Sequence, residues 1–198
     1  EDIAWQKAKG WPFGWEIMAL VGGNRMQLTT NYYYEMAPKV QGNHIVWYGW
    51  DGFDYEIFLM DTTANEITQI TSNRYDDVAP VVWDGAVVWE GYSGLEADIF
   101  LWKSGETKKI SSNIDDDLYP RIWGNKIVWQ GFDGDDYEIY LYDLDKGGIP
   151  TEITSNNYDD TNPEIRDDLI VWMGYQDNWD SEIFYADLEG LNYLSDVK

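Results

Sequence analysis

Apolar and polar residues along this chain fall into short segments broken by Gly, Pro, Asn or Asp. The fourth copy of the pattern shows the unit. Residues 120–123 are short and extended, and Gly124-Asn125 is a turn. Ile127-Val128-Trp129-Gln130 is a second strand, rich in β-branched and aromatic residues. Asp133-Gly134 signals a hairpin. Residues 137–142 form a third strand, Asp145-Lys146-Gly147-Gly148 a turn, and residues 151–154 a fourth strand. No 12-residue stretch places apolar residues at the helical period. Strands with apolar residues on both faces predict sheets packed on both sides.

The unit repeats. Residues 38–47 and 120–129 align without a gap, as do 80–89 and 163–172. The prolines recur at intervals of 42, 40 and 43 residues, and the closing tryptophans are Trp47, Trp89, Trp129 and Trp172. Trp5 makes a fifth. An acidic-Ile pair also occurs five times, at Glu16-Ile17, Glu56-Ile57, Asp98-Ile99, Glu138-Ile139 and Glu182-Ile183. Four strands in about 41 residues is the spacing of a β-propeller blade. The expectation is an all-β, five-bladed propeller forming a single domain, with units near 1–37, 38–79, 80–119, 120–162 and 163–198. The Pro-x-x-x segments are its inner strands. Outermost are residues 27–29, 67–70, 109–111, 152–154 and 191–194. A twisted solenoid of the same unit is the structural alternative.

These residues resemble the TolB-type propeller repeat, whose blade runs from an outer Leu-Thr strand through an acidic loop to Pro-x-Trp, a turn, Ile-x-Phe and Ile-Tyr. Thr71, Asp76, Asp77, Pro80, Trp83, Val88 and Trp89 stand at such places, as do Asp116, Asp117, Pro120, Trp123, Asn125, Ile139 and Tyr140. The inner turn departs from the family, being Asp84-Gly85 or Gly124-Asn125 and two residues shorter. In this the chain is similar to propeller repeats of archaeal and bacterial surface proteins. The resemblance implies a binding platform at the cell surface or outside the cell, and names no ligand.

The first unit has no inner strand before it, so the blades are one strand short. The missing strand is expected from a longer parent protein, from a blade that tolerates the gap, or from a second chain by β-augmentation. No signal peptide precedes Glu1, so an exported form would be a mature or excised segment.

Composition narrows the function. With 13 Lys and Arg against 37 Asp and Glu, the net charge is −24. This argues against nucleic acid, whose phosphates need a basic face, and against anionic membrane surfaces. No apolar run is long enough for membrane insertion as a helix. The absence of Cys removes disulfides, thiolate zinc sites and a Cys nucleophile, and a single His, His44, excludes paired imidazoles. The 33 aromatic residues set the chain apart from disordered acidic sequences.

Four constellations carry candidate chemistry. The first is the hairpin tip, with Asp51 and Asp54, Asp133 and Asp135, and Asp177 and Asp180. Clustered carboxylates on a tight turn suit Ca²⁺ as a cofactor, although the spacing is not that of a twelve-residue calcium loop. The alternative is a type I′ turn in an acidic protein. The acidic residues before Ile are expected to make a repeated structural hydrogen bond. The second is the loop into each inner strand, with Asp76 and Asp77, Asp116 and Asp117, and Asp159 and Asp160. These predict an acidic face that attracts cations or a basic partner, or caps on the amides of a neighbouring blade. The third is a set of turn aromatics, Trp11, Trp50, Phe53, Tyr92, Phe132, Tyr175 and Trp179, placed for stacking on a sugar ring or for a protein interface. The fourth is the inner-strand channel, whose candidates Lys39, Gln41, Val81, Trp83, Arg121, Trp123, Glu164 and Arg166 include one carboxylate. One carboxylate counts against a glycosidase, which needs two.

The expected function is therefore a non-enzymatic module that binds a protein or glycan through its loops. The alternative is a homo-oligomer or fibre built by strand donation into the incomplete blade. The third is a five-bladed glycosidase.

Overall fold

A computed structural model of the chain describes residues 2–9, 14–111, 115–177 and 180–189. These residues form 18 strands in five antiparallel sheets, with no helix among them. The first sheet holds β1 (Ile3–Ala8), β2 (Trp15–Val21) and β3 (Asn24–Gln27). The second holds β4 (Glu35–Gln41), β5 (His44–Trp50), β6 (Tyr55–Asp61) and β7 (Glu66–Gln69). The third holds β8 (Asp77–Trp83), β9 (Ala86–Tyr92), β10 (Ala97–Lys103) and β11 (Glu106–Lys109). The fourth holds β12 (Asp117–Trp123), β13 (Lys126–Phe132), β14 (Tyr137–Asp143) and β15 (Thr151–Glu152). The fifth holds β16 (Asp160–Arg166), β17 (Leu169–Asp177) and β18 (Asp180–Asp187). Strands follow one another across every sheet, as in the blades of a propeller. The first sheet has no strand beyond β1 among the described residues. The expected outer strand at 191–194 lies outside the described residues.

The chain divides into two compact units, Glu1–Tyr92 with Leu101–Thr107, and Ser93–Phe100 with Lys108–Lys198. In the first unit, Ile17, Ala19, Ile45, Trp47 and Met60 form a buried cluster between the first two sheets. In the second, Val128, Ile139, Ile153, Ile165, Ile170 and Trp172 do the same between the fourth and fifth sheets. Burial of aromatic and β-branched side chains is the main force holding each pair of sheets together. Trp47 stacks on Phe58 at 5.8 Å, Trp129 on Tyr140 at 6.0 Å and Trp172 on Phe184 at 6.2 Å.

The inner strands begin earlier than the prolines suggest. Each carries a β-bulge, with register shifts between Met36 and Lys39, Val78 and Val81, Leu118 and Arg121, and Thr161 and Glu164. Two inner-strand residues thus stand against one tryptophan of the next strand. The residue before each proline, Ala37, Ala79, Tyr119 or Asn162, has a φ of 47°, 52°, 56° or 53°. Left-handed backbone is costly for such residues, and its recurrence at one position in four sheets marks a built feature of the blade. The proline has no N–H to leave unpaired at the bulge.

Past the bulge, a carboxylate residue pairs with glycine on the next strand: Glu35 with Gly49, Asp77 with Gly91, Asp117 with Gly131 and Asp160 with Gly174. The missing Cβ leaves the carboxylate room to lie over the strand.

Candidate functional site

The bulge and the glycine together place a carboxylate beside a buried indole. The indole N–H groups of Trp47, Trp89 and Trp129 donate to Glu35, Asp77 and Asp117, each at 2.7 Å. In three sheets an Asn side chain donates to the same carboxylate: Asn31 to Glu35 at 2.5 Å, Asn73 to Asp77 at 2.5 Å and Asn156 to Asp160 at 2.7 Å. Each Asn also closes a turn by accepting the amide of Tyr33, Tyr75 or Tyr158. These carboxylates are buried. Asp77, Asp117 and Asp160 therefore do not line a loop face, as the sequence suggested. They open the inner strands, where Asp77 and Asp117 hold indoles and Asp160 holds Asn156.

Their neighbours Asp76, Asp116 and Asp159 do lie in the loops. Each accepts an amide from the hairpin of the preceding sheet: Tyr55 to Asp76 at 3.0 Å, Ala97 to Asp116 at 2.8 Å and Tyr137 to Asp159 at 3.1 Å. This is the capping role of an Asp side chain. Glu164, the one carboxylate among the channel candidates, is 2.7 Å from the guanidinium of Arg121.

The acidic residues before Ile behave as a second repeated set. Thr29, Thr71, Ser111 and Thr154 accept the amides of Ile17, Ile57, Ile99 and Ile139 at 2.8–3.1 Å. The hydroxyls of Thr29 and Ser111 donate onward to Glu16 and Asp98. Glu16, Glu56, Asp98 and Glu138 are all buried, whereas Glu182 is exposed.

At the second and fourth hairpins these acids meet the tip carboxylates. Asp51 accepts the amides of Phe53 at 2.8 Å and Asp54 at 3.3 Å; Asp133 accepts those of Asp135 at 2.9 Å and Asp136 at 3.1 Å. Only Gly52 and Gly134 have positive φ there, at 117° and 113°, so the tips are Asx-closed loops and not type I′ turns. Oxygens of Asp51, Asp54 and Glu56 lie within 4.8 Å of one another, as do those of Asp133, Asp136 and Glu138. Asp135, singled out from sequence, stays outside that group, and Asp136 and Glu138 take part instead. In the fifth sheet Asp180 is exposed, and Trp179 and the side chain of Asp177 lie outside what the structure describes.

Burial governs how these groups titrate. It raises the carboxyl pKa of Glu35, Asp77 and Asp160 above the ordinary range, against the opposing effect of their Asn and Trp donors. It pushes Glu56 and Glu138 up to about 7, helped by neighbouring carboxylates and opposed by the Thr71 and Thr154 hydroxyls. A carboxyl with a raised folded-state pKa binds its proton more tightly in the native state than in the unfolded chain. Stability is then full below the unfolded value of about 4.3 and falls as pH rises toward 7. Without divalent cations, the melting temperature should be lower at pH 8 than at pH 5. A protein that melts higher at pH 8 would refute this sign.

The turn aromatics divide by environment. Trp50 and Phe132 are half-buried and meet Tyr55 and Tyr137 edge-on at 5.2 and 5.3 Å. Tyr92 is half-buried and Tyr175 is exposed. Phe53, at the second tip, is 88% exposed. Trp11 lies outside the described residues. The loop tyrosines Tyr32, Tyr33, Tyr34 and Tyr75 are exposed too, and sequence reading did not single them out as a surface. For Tyr33 and Tyr75 the signal was the Asn-x-Tyr spacing, which recurs at Asn156 and the half-buried Tyr158.

Comparison with solved structures falls on propellers. TolB from Acinetobacter baumannii superposes with a TM-score of 0.62 at 16% identity, over 96% of this chain and 49% of that one. The fold resembles that of TolB propellers. A putative TolB from Agrobacterium tumefaciens gives 0.63 at 17% identity, over 89% of this chain and 72% of that one. An acylaminoacyl peptidase from Pyrococcus horikoshii gives 0.65 at 15% identity, over 88% of this chain and 30% of that one. The chain thus spans about half the length of the A. baumannii TolB it matches. No protein-family model matches the chain, and no curated protein matches it. At these identities the likeness concerns the fold, and both TolB proteins and a peptidase share it. No helix among the described residues is long and apolar enough to cross a membrane.

Proposed function

We propose that this chain is a non-enzymatic interaction module of the cell surface or extracellular space, and that it binds a protein through the loops at one end of its first unit. The observation that carries this reading is a patch of exposed rings. The loop at 31–34 brings Tyr32, Tyr33 and Tyr34, the second hairpin tip brings Phe53, and the loop at 73–76 brings Tyr75. These segments adjoin: a Cβ at Gly52 would sit 3.3 Å from the Tyr33 hydroxyl, and Asp76 holds the Tyr55 amide. Exposed tyrosines are rigid, amphipathic anchors of the kind enriched at protein interfaces. With a net charge of −24, the module favours a partner with a basic surface. The likeness to TolB propellers supports a binding platform. The loop carboxylates Asp76 and Asp159 are engaged with amides, and Asp77 behind them with an indole, which favours scaffold duty over acid–base catalysis.

A photoreactive residue at Phe53 should capture a discrete envelope protein. The same residue at Thr68 on β7 should not. Equal capture from both positions would overturn the assignment. Phe53-dependent binding on a glycan array, without protein capture, would move the reading to a sugar ligand, for which rings beside carboxylates are also suited. A second reading, strand exchange between copies, draws on β1, which pairs only with β2 among the described residues. It requires a mass by light scattering that rises with concentration.

A further inference from the structure

We propose that the second and fourth hairpins each hold a calcium ion, ligated by Asp51, Asp54 and Glu56 in one and by Asp133, Asp136 and Glu138 in the other. The two tips share the sequence Asp-Gly-x-Asp-Tyr-Glu. Ca²⁺ sits about 2.4 Å from its oxygen ligands, so one ion reaches oxygens up to about 4.8 Å apart. Each triad meets that limit.

Turn chemistry accounts for Asp51 and Asp133, which close their loops. It does not account for the others. Asp54 is 6% exposed and Asp136 is 7% exposed, yet neither oxygen of either carboxylate has a hydrogen-bond partner. Behind them, Glu56 and Glu138 are fully buried. Both oxygens of Glu56 and one of Glu138 also lack a hydrogen bond of acceptable geometry, although the hydroxyls of Thr71 and Thr154 are near. Unpaired carboxylates in a dry site are costly, and three in one place repel one another. A divalent cation removes both costs at once.

The other blades show what a cation does at this place. In the first, Lys9 forms an ion pair with the buried Glu16. The repeat register makes Lys9 the counterpart of Asp51 and Asp133, and Gly14 the counterpart of Asp54 and Asp136. In the third, Lys109 lies 2.6 Å from the buried Asp98, and Ser93 stands where the tip Asp would be. At the position of Lys109 the second and fourth blades carry Gln69 and Glu152. Two blades therefore neutralise the buried acid with a lysine from the chain. The other two replace lysine with further carboxylates, the donor set of a hard metal ion. Asp76 and Asp159, each bound to the amide between two ligands, add negative charge beside the sites.

The chelator-treated chain is titrated with CaCl₂ by calorimetry. The expected result is two ions per chain, with a melting temperature that rises with Ca²⁺ and not with an equal ionic strength of NaCl. Asp54→Asn should leave one ion, and Asp54→Asn with Asp136→Asn should weaken binding at least tenfold at both sites. Asp135→Asn should keep two. Asp51→Lys copies the first blade, so it should lose one ion and, without Ca²⁺, melt above the parent. This variant separates loss of binding from loss of fold. No saturable binding at Ca²⁺ concentrations up to about 1 mM, the weak end for extracellular calcium modules, would overturn the proposal. So would two ions retained by the double variant, or equal binding of Mg²⁺.

Discussion

Trp129→Ala should cost about 3–5 kcal/mol, a fall in melting temperature of roughly 6–20 °C for a chain of this length. Trp129 is 1% exposed, stacks on Tyr140 and donates to Asp117 at 2.7 Å. Alanine removes the ring from the fourth sheet and leaves a cavity that its close-packed surroundings fill only in part. It also removes the indole N–H that donates to Asp117. Trp129→Phe separates the two effects. It keeps most of the buried area and loses the N–H, so it should cost about 1–3 kcal/mol, the range for removing one hydrogen bond to a buried charged group. Urea unfolding checks both values. Equal losses would mean that the hydrogen bond, and not the ring, carries the site.

The second large effect comes from adding a single carbon. Gly131→Ala should cost about 2–4 kcal/mol, at or above the usual range for overpacking. A Cβ there would collide with the Asp117 carboxylate and come within 2.9 Å of the Tyr140 ring. The carboxylate would have to leave the Trp129 indole, so the variant should couple with Trp129→Phe in a double-mutant cycle. Gly94→Ala is the matched control. The nearest atom to its Cβ is a Glu96 carboxylate oxygen at 4.0 Å, and its backbone is not left-handed. It should change stability by less than about 0.5 kcal/mol. A neutral Gly131→Ala would mean that the inner strand shifts freely at its bulge.

The five-sheet architecture was legible because Pro, Trp and acidic-Ile recur in one order, and the proline bulge and the buried tryptophan are built alike in four of the five sheets. The partner of each tryptophan was harder to see, although its spacing is constant. Glu35, Asp77, Asp117 and Asp160 each stand twelve residues before a tryptophan. Sequence reading starts an inner strand at its proline, because proline and the residue before it resist ordinary pairing. The bulge lets the strand continue upstream through a left-handed residue, which brings these carboxylates from loop to core. The metal triads were half legible. The tip aspartates stand out, but Glu56 and Glu138 read as members of a five-fold structural set. Only packing shows that Lys9 and Lys109 serve two of those acids and that, among the described residues, no lysine pairs with the triads.

The outermost strands bear on how densely such molecules can be stored. β7 and β11 present only exposed residues, among them Glu66, Thr68, Gln69, Glu106, Lys108 and Lys109, and β15 is two residues long. An open edge of unpaired amides ordinarily recruits another chain into a shared sheet. Here an incoming strand would meet charge and find little length to zip along. Many copies crowded on a surface would stay colloidally separate along these edges, without seeding cross-β aggregates.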